Sequence, residues 1–324
     1  MVGIKAATLL GVFNMTLPAL PFFKPCSWWQ GCLQLSLPLL FLCLLSISLQ
    51  AQQPDSIQDR RMRALLAGGA AGYTGLLFGL NALWYSEQDQ SSFHFFNDNR
   101  QWMLVDKSGH AYSSFHLSRI GAEAFQWAGL PRRKAQLYGS LGGWLLMTPV
   151  EILDGFSAEY GASWGDVAAN SVGSLLYAGQ HLVWEEVRIK PKFSFHTTPF
   201  AAERPGTLGH TLPTQILKDY NGQTYWLAVD LKKFLPDNSQ YPKWLHLAFG
   251  YGTTDMVYAL PESNRLRGYE PLQQWYLAPD IDLSHLKGKR KWLNGLIFLL
   301  EGLHLPAPAL EWNRNGIRFH PLYF

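Results

Sequence analysis

"EILDGFSAEYGASWGDVAAN" (Glu151–Asn170) is the stretch of sequence that says most about the fold. It joins the acidic end of one apolar segment, a short loop with glycines, and the start of an alanine-rich segment. Ser163, followed three residues later by Asp166, resembles a capping box, in which the serine side chain accepts a hydrogen bond from the amide of residue 166. The stretch therefore predicts the end of one helix, a loop and the capped start of the next helix.

Helical patterns continue on both sides of this stretch. They predict four helices, namely Ala64–Tyr85, Asp106–Gly129, Ala135–Phe156 with a kink at Pro149, and Ser163–Val187. The first has about 22 residues without a charge, which is enough to cross a hydrocarbon core, and a buried helix of a soluble bundle is the alternative. Glycines four residues apart suit close helix packing in lipid. We therefore predict a mainly α fold with a membrane-associated four-helix unit over residues 52–189.

The remainder of the chain, residues 190–324, differs in composition and in sequence periodicity. It is rich in Pro, Gly, Trp and Tyr, and regular helical periodicity mostly disappears. Three short segments have strand-like patterns: "KFSFHT", "GQTYWLAV" and "QWYLAPDIDL". One helix is expected at Arg290–Leu305. We predict an irregular, aromatic-rich C-terminal unit with short strands and one helix.

The amino terminus resembles a targeting segment. After Lys24 comes an apolar run that ends at Ala51, so residues 1–51 are predicted to be a signal peptide or an N-terminal membrane segment. All three cysteines lie there, and neither Cys32 nor Cys43 follows the small residues of a lipoprotein signal. The sequence therefore predicts no lipid anchor. Removal of the segment would leave a chain without disulfides or thiolate metal sites.

The amino-acid composition of the chain indicates which kinds of molecule it binds. Charged residues are 16% of the chain, aromatic residues 14%, and the formal net charge is only +3. Few charges and many aromatics indicate a membrane partner, with other envelope proteins or a lipid-linked substrate as further candidates. The basic run Lys287–Lys291 is short and isolated, so nucleic acid is excluded and the run is assigned to a solvated or headgroup-facing segment. The predicted location is the bacterial cell envelope, associated with the inner or outer membrane.

Polar residues recur at helical spacing within the predicted helices. Each pair shares one helix face, and ionisable groups in an apolar unit usually face inward. The predicted polar cluster consists of Asp106, Lys107, Ser163, Asp166 and Asn170. The candidate catalytic residues are His110, Glu151 and Asp154.

Three interpretations of these residues stay open at the sequence level. They could form a structural network that fixes helix register. They could form an enzyme site, with His110 and a carboxylate as base and orienting group and Ser114 or Ser157 as nucleophile. They could also hold a divalent metal through Asp106, His110, Glu151 and Asp154. No cofactor is identified, since the chain has no HExxH, P-loop or dinucleotide motif.

Three motifs in a fixed order carry a family resemblance: "DKSGH" (Asp106–His110), "EILD" (Glu151–Asp154) and "SWGDVAANSVG" (Ser163–Gly173). Together they resemble the YfiM-like envelope proteins (domain of unknown function 2279), over about residues 60–187. In outline they are also similar to VanZ-like membrane proteins, which implies several membrane helices. The predicted function is a structural or interaction role in the envelope. The alternative is a membrane-associated hydrolase or transferase that acts on a lipid-linked or cell-wall substrate.

Overall fold

Among the described residues, the four long helices lie before residue 185 and the strands lie after it. The computed structural model describes residues 56–82 and 89–324, so the predicted leader (residues 1–51) and the end of the predicted first helix lie outside the described residues. The described helices are α1 (Ile57–Leu80), α2 (Val105–Trp127), α3 (Arg132–Gly155), α4 (Trp164–Trp184), α5 (Phe200–Glu203), α6 (Pro205–Leu208), α7 (Leu212–Lys218), α8 (Pro261–Arg265) and α9 (Lys291–Leu300).

Small residues let α2, α3 and α4 pack with their backbones close together. A Cβ atom at Gly143 of α3 would lie 2.5 Å from the amide nitrogen of Ser118 in α2. A Cβ atom at Gly173 of α4 would lie 2.1 Å from the carbonyl oxygen of Ala111 in α2. Glycine at these positions is therefore required by the approach of the neighbouring backbone.

The predicted membrane-associated four-helix unit is wrong. Within the described residues, no helix is long and apolar enough to cross a membrane. Glycine, alanine and serine in α1, α3 and α4 add little hydropathy, and α2 carries several charged and polar side chains. Among the described helices, α2, α3 and α4 pack closely against one another. Helix α1 is largely exposed, and Ala70 is its buried residue.

The predicted irregular C-terminal unit is also wrong, because this region contains a regular sheet. Its six strands follow one another in sheet order, and every neighbouring pair is antiparallel. The strands are β1 (Ile189–Phe195), β2 (Gln223–Val229), β3 (Leu245–Thr254), β4 (Leu272–Ile281), β5 (Ala307–Asn313) and β6 (Gly316–Tyr323). Several short helices and α9 lie in the connections.

The two faces of this sheet have an unusual distribution of polarity. One face is buried, with a core of small and aromatic side chains: Trp226, Ala228, Ala248, Tyr276, Ala278, Ala309 and Tyr323. On the opposite face an apolar row crosses five strands in register, from Leu227 through Phe249, Leu277 and Leu310 to Phe319. Of this row, Leu277 is half-buried and the other four side chains are exposed. Apolar side chains therefore face outward, opposite to the usual pattern of a half-buried sheet.

Charged groups occur on the buried face of the same sheet. The Lys192 ammonium lies 2.6 Å from Asp280 Oδ2 and donates to the carbonyl oxygen of Ile281 at 3.1 Å. Asp280 Oδ1 accepts from His304 Nδ1 at 2.9 Å, and the His304 ring stacks on Trp226. A buried charge is tolerated only when it is paired and hydrogen-bonded, and this arrangement supplies both conditions.

Helix α2 joins the helical layer to the sheet. The Tyr112 ring contacts Phe193 of β1 and Tyr225 of β2, and His116 Nε2 lies 2.9 Å from the carbonyl oxygen of Pro191. Arg119 forms a buried ion pair with Glu301, just after α9. The first turns of α2, which carry the candidate site residues, therefore lie between the other helices and the first strands.

Candidate functional site

The entry into α2 sets the position of the site. A short 3₁₀ turn (Gln101–Leu104) precedes the helix, and Trp102, Met103 and Leu104 all have positive φ angles. Such angles are costly for side chains other than glycine, so tertiary contacts must hold this turn. Trp102 is buried and donates its backbone N–H to the carbonyl oxygen of Ala259 at 2.8 Å. The turn fixes the direction in which the first α2 side chains leave the helix.

Lys107 is surrounded by carboxylates from three segments. Its ammonium lies 2.6 Å from Asp98 Oδ2, 2.6 Å from Asp166 Oδ1 and 3.1 Å from Asp106 Oδ2. Burial alone would lower the pKa of this lysine, but Asp106 and Asp166 outweigh burial and raise it above 10.5. The ammonium is therefore charged at neutral pH and ties α2 to α4 and to the preceding loop.

The His110 imidazole has different neighbours on its two nitrogens. Nδ1 lies 3.2 Å from Asn170 Oδ1 and 3.3 Å from Glu151 Oε1. Nε2 lies 3.7 Å from Asp166 Oδ1 and 3.9 Å from Asp106 Oδ1. Glu151 and Asn170 thus hold one side of the ring, while two aspartates face the nitrogen on the other side.

Burial and charge shift the pKa values in this cluster. Burial lowers the pKa of His110, but Asp106, Asp166 and Glu151 outweigh burial and raise it above 6.5. Burial, with the nearby Asp166 and Asp154, raises the pKa of Glu151 to about 8 although His110 opposes the shift. Burial likewise raises the pKa of Asp166 to about 6. Glu151 is therefore protonated at neutral pH, and the carboxylates around His110 favour its imidazolium form.

The raised pKa of Glu151 predicts lower stability as the pH rises. Between the ordinary pKa of 4.5 and the folded-state pKa of about 8, the unfolded chain loses a proton that the folded protein retains. The free energy of unfolding therefore falls across this range, and His110 contributes in the same direction because its pKa is also raised.

Glu151→Gln should make this fall shallower, as measured by urea unfolding at a series of pH values. Glu159→Gln, at an exposed position in the following loop, is the matched control and should follow the wild type. An identical pH profile for Glu151→Gln and the wild type would contradict this assignment.

Ser163 has a different role from the other predicted polar residues. Its hydroxyl accepts from the amides of Gly165 and Asp166 at the start of α4, as an N-cap does. It also donates to Asp98 Oδ1 at 2.5 Å. The Asp166 side chain contacts Lys107, so the cap is formed by Ser163, and Asp166 belongs to the charged cluster.

A cavity of about 380 Å³ lies beside this cluster. Its polar lining includes Asp98, Asp106, His110, Asp154 and Asp166. Its apolar and aromatic lining comes from helices, strands and loops, including Phe96, Trp102, Met147, Phe193, Leu217 and Tyr225. The structure thus brings His110 and Asp154 to the cavity wall, whereas Glu151 supports the far side of the imidazole.

Three of these residues form a group with the geometry of a metal site. Asp106, His110 and Asp166 each offer one ligand atom, and these atoms lie within 4.8 Å of one another. Glu151, which belonged to the predicted ligand set, faces the other ring nitrogen of His110. The Lys107 ammonium lies 2.6 Å from the same Asp166 oxygen, so a divalent ion would have to displace or repel this cation.

The two serines considered as nucleophiles take part in other hydrogen bonds. The Ser114 hydroxyl is buried and donates to the carbonyl oxygen of Asn170 at 2.7 Å, with Ser174 Oγ at 2.6 Å. The Ser157 hydroxyl accepts from the amide of Glu159. The hydrogen bonds of Ser114 belong to the packing of two helices, and that of Ser157 belongs to a loop turn.

Sequence reasoning missed three residues of this site. Asp98 lies in a loop without periodicity, so no spacing linked it to Lys107. Tyr220 donates to Asp106 Oδ1 at 3.0 Å, and Tyr225 lines the cavity. Both tyrosines come from the region after α4, and only the tertiary fold brings them to α2. For Asp98, the only available sequence signal is the "NDN" tripeptide (residues 97–99), which precedes the 3₁₀ turn. This tripeptide is a common loop pattern and does not by itself indicate a site.

Comparison with protein families gives a match that covers this site. Residues 94–178 match a family described as "Predicted periplasmic lipoprotein (DUF2279)". The matched region contains α2, α3, most of α4 and every clustered residue named above except the two tyrosines. No curated protein and no solved structure matches the chain.

The match supports the general form of two expectations from the sequence, but not their details. It supports the resemblance to the family of unknown function and a location in the bacterial cell envelope. The narrower likeness to YfiM-like and VanZ-like proteins stays a prediction. The family description names a lipoprotein, whereas the sequence predicts no lipid anchor, and the cysteines lie outside the described residues.

Proposed function

We propose that this protein is an envelope hydrolase whose active site is the cavity beside His110. The observation that carries the proposal is the convergence of His110, Asp154 and Asp166 on the wall of a cavity that is otherwise largely apolar. Shifted pKa values in a cavity are typical of acid–base sites. An apolar wall beside a polar end suits an amphiphilic molecule, with its tail on the aromatic side and its head at His110.

The charges of the lining favour one class of substrate. Four aspartates line the cavity against one imidazolium, and the Lys107 ammonium is already surrounded by carboxylates. Excess negative charge repels a phosphate group and favours an uncharged or cationic head. The substrate class is therefore an uncharged ester or amide with an acyl chain, such as a lipid-linked envelope component.

The proposal gives each group a role. Asp166 or Asp154, in its carboxylate form, accepts a proton from a water molecule as that water attacks the carbonyl carbon. The His110 imidazolium donates a proton from Nε2 to the leaving group as the ester bond breaks. Glu151 and Asn170 hold Nδ1, which keeps Nε2 directed at the aspartates.

Hydrolysis of p-nitrophenyl octanoate by the purified full chain tests the proposal. His110→Gln should lower the rate by roughly 10²–10⁴-fold, the usual size of a general acid–base contribution. His210→Gln, at an exposed site away from the cavity, should retain wild-type activity. p-Nitrophenyl phosphate should be a poor substrate because of the carboxylate-rich lining.

Two results would count against the hydrolase. One is a wild type that cleaves none of a panel of acyl esters, and the other is a His110→Gln protein as active as the wild type. Thermal unfolding of the same proteins separates loss of chemistry from loss of fold.

A structural role is the second candidate function, and Lys107 is the observation that favours it. Its three carboxylate partners come from α2, from α4 and from the loop before α2. Such a network fixes the relative positions of these segments even without a ligand. If only this role holds, Lys107→Met should lower thermal stability, and His110→Gln should change no activity.

A further inference from the structure

Helix α9 has an apolar stripe that the rest of the described protein leaves exposed. Ile297 and Glu301 face inward, and both are buried. The exposed side chains follow helical spacing along one face: Trp292, Leu296, Leu299 and Leu300. Trp292 is 67% exposed and Leu299 is 62% exposed, which is high for side chains of this size. A stripe of this kind marks a surface that contacts something apolar.

Basic residues precede the stripe directly. Lys289, Arg290 and Lys291 are exposed, and none of them forms an ion pair with another described residue. Lys287, by contrast, lies 2.5 Å from Glu301 Oε1, so its charge is neutralised. Three free positive charges at one end of an apolar stripe are complementary to a surface that is anionic outside and apolar inside.

We propose that α9 and residues 289–291 form a surface that binds an anionic lipid bilayer. An amphipathic helix with basic residues, tryptophan and leucine lies in the interface plane with its apolar face among the upper acyl chains. Trp292 stands between the basic run and the leucines, where an amphipathic ring matches the headgroup boundary. The inner face of α9 stays on the protein through Ile297.

This surface is independent of the chemistry at His110, since it is formed by different residues. Glu301, at the end of α9, forms ion pairs with Arg119, Lys190 and Lys287 beneath the helix. None of these residues belongs to the cluster around His110. These contacts hold the carboxyl end of α9 in place, so the stripe is presented on a rigid support.

Quenching of tryptophan fluorescence by lipids brominated in the acyl chain tests this proposal. The full chain is mixed with vesicles of phosphatidylethanolamine and phosphatidylglycerol that contain the brominated lipid. Trp292→Phe should lose a large part of the lipid-dependent quenching. Trp164→Phe is the matched control, because Trp164 is 69% exposed on a different helix, and it should be quenched as the wild type is.

The charge requirement is tested with Lys289→Gln, Arg290→Gln and Lys291→Gln combined. Each basic residue near an anionic surface strengthens binding about fivefold, so half-maximal quenching should require roughly 100-fold more lipid. Equal quenching in the wild type and Trp292→Phe would overturn the proposal. So would a triple variant with unchanged lipid dependence, or shielding of Trp292 by self-association without lipid.

Discussion

Asp280→Asn is expected to lower the free energy of unfolding by about 3–5 kcal/mol, the usual result of breaking a buried ion pair by removing one charge. Lys192 is 1% exposed, and its ammonium has Asp280 as its partner at 2.6 Å and the Ile281 carbonyl at 3.1 Å. The asparagine keeps the shape of the site but leaves the ammonium buried without a counter-charge. Urea unfolding of the purified protein measures the change.

Two comparisons make this result specific. Asp237→Asn removes a carboxylate from an exposed loop and should change the free energy of unfolding very little. Adding Lys192→Met to Asp280→Asn removes the orphaned charge, so the double variant should recover much of the loss. A double variant no more stable than Asp280→Asn would show that the cost does not come from the unpaired ammonium.

Gly143→Ala is expected to destabilise the packed helices by about 1–3 kcal/mol, as overpacking of a well-packed core does. The added methyl group would lie 2.5 Å from the Ser118 amide nitrogen and 2.7 Å from the Ser114 carbonyl oxygen. Both contacts are with backbone, which cannot rotate away, so α2 and α3 must separate.

The neighbouring glycine supplies the control. A Cβ atom at Gly142 meets nothing within 4 Å. Gly142→Ala should therefore stabilise α3 by about 0.5–1 kcal/mol, since alanine is the better helix former. Thermal unfolding of the two variants should show shifts of opposite sign. Two equal shifts would mean that helix propensity, and not the approach of α2, decides the effect.

The helices around the site could be predicted because their signals are local. Ser163 is the N-cap of α4, and the capped start of that helix was expected from four residues of sequence. The bounds of α2 and α3 follow from a glycine and a proline between them. The predicted membrane helix is wrong because a segment without charges is not necessarily strongly hydrophobic. The central part of α1 is largely glycine and alanine, and these residues contribute less hydropathy than leucine or isoleucine.

The sequence predicts short strands that overlap β1, β2 and β4, but the regular six-stranded sheet could not be predicted because its pattern reverses the usual rule. In β3, buried positions carry His246, Ala248, Gly250 and Gly252, and the exposed position carries Phe249. Alternation with mainly small residues at the buried positions and a large apolar residue at the exposed one does not match the usual pattern of a half-buried strand. Likewise, the site joins α2 to Tyr220, more than 100 residues later, and no spacing rule reaches that far.

The buried Lys192–Asp280 pair has a further consequence for how the sheet assembles. Successive side chains of a strand point to opposite faces, so a shift of β1 by one residue would move the lysine to the apolar side. There it would lie far from its carboxylate and among leucine and phenylalanine. The pair therefore favours the native strand alignment, because a shifted strand loses the contact between the ammonium and its carboxylate.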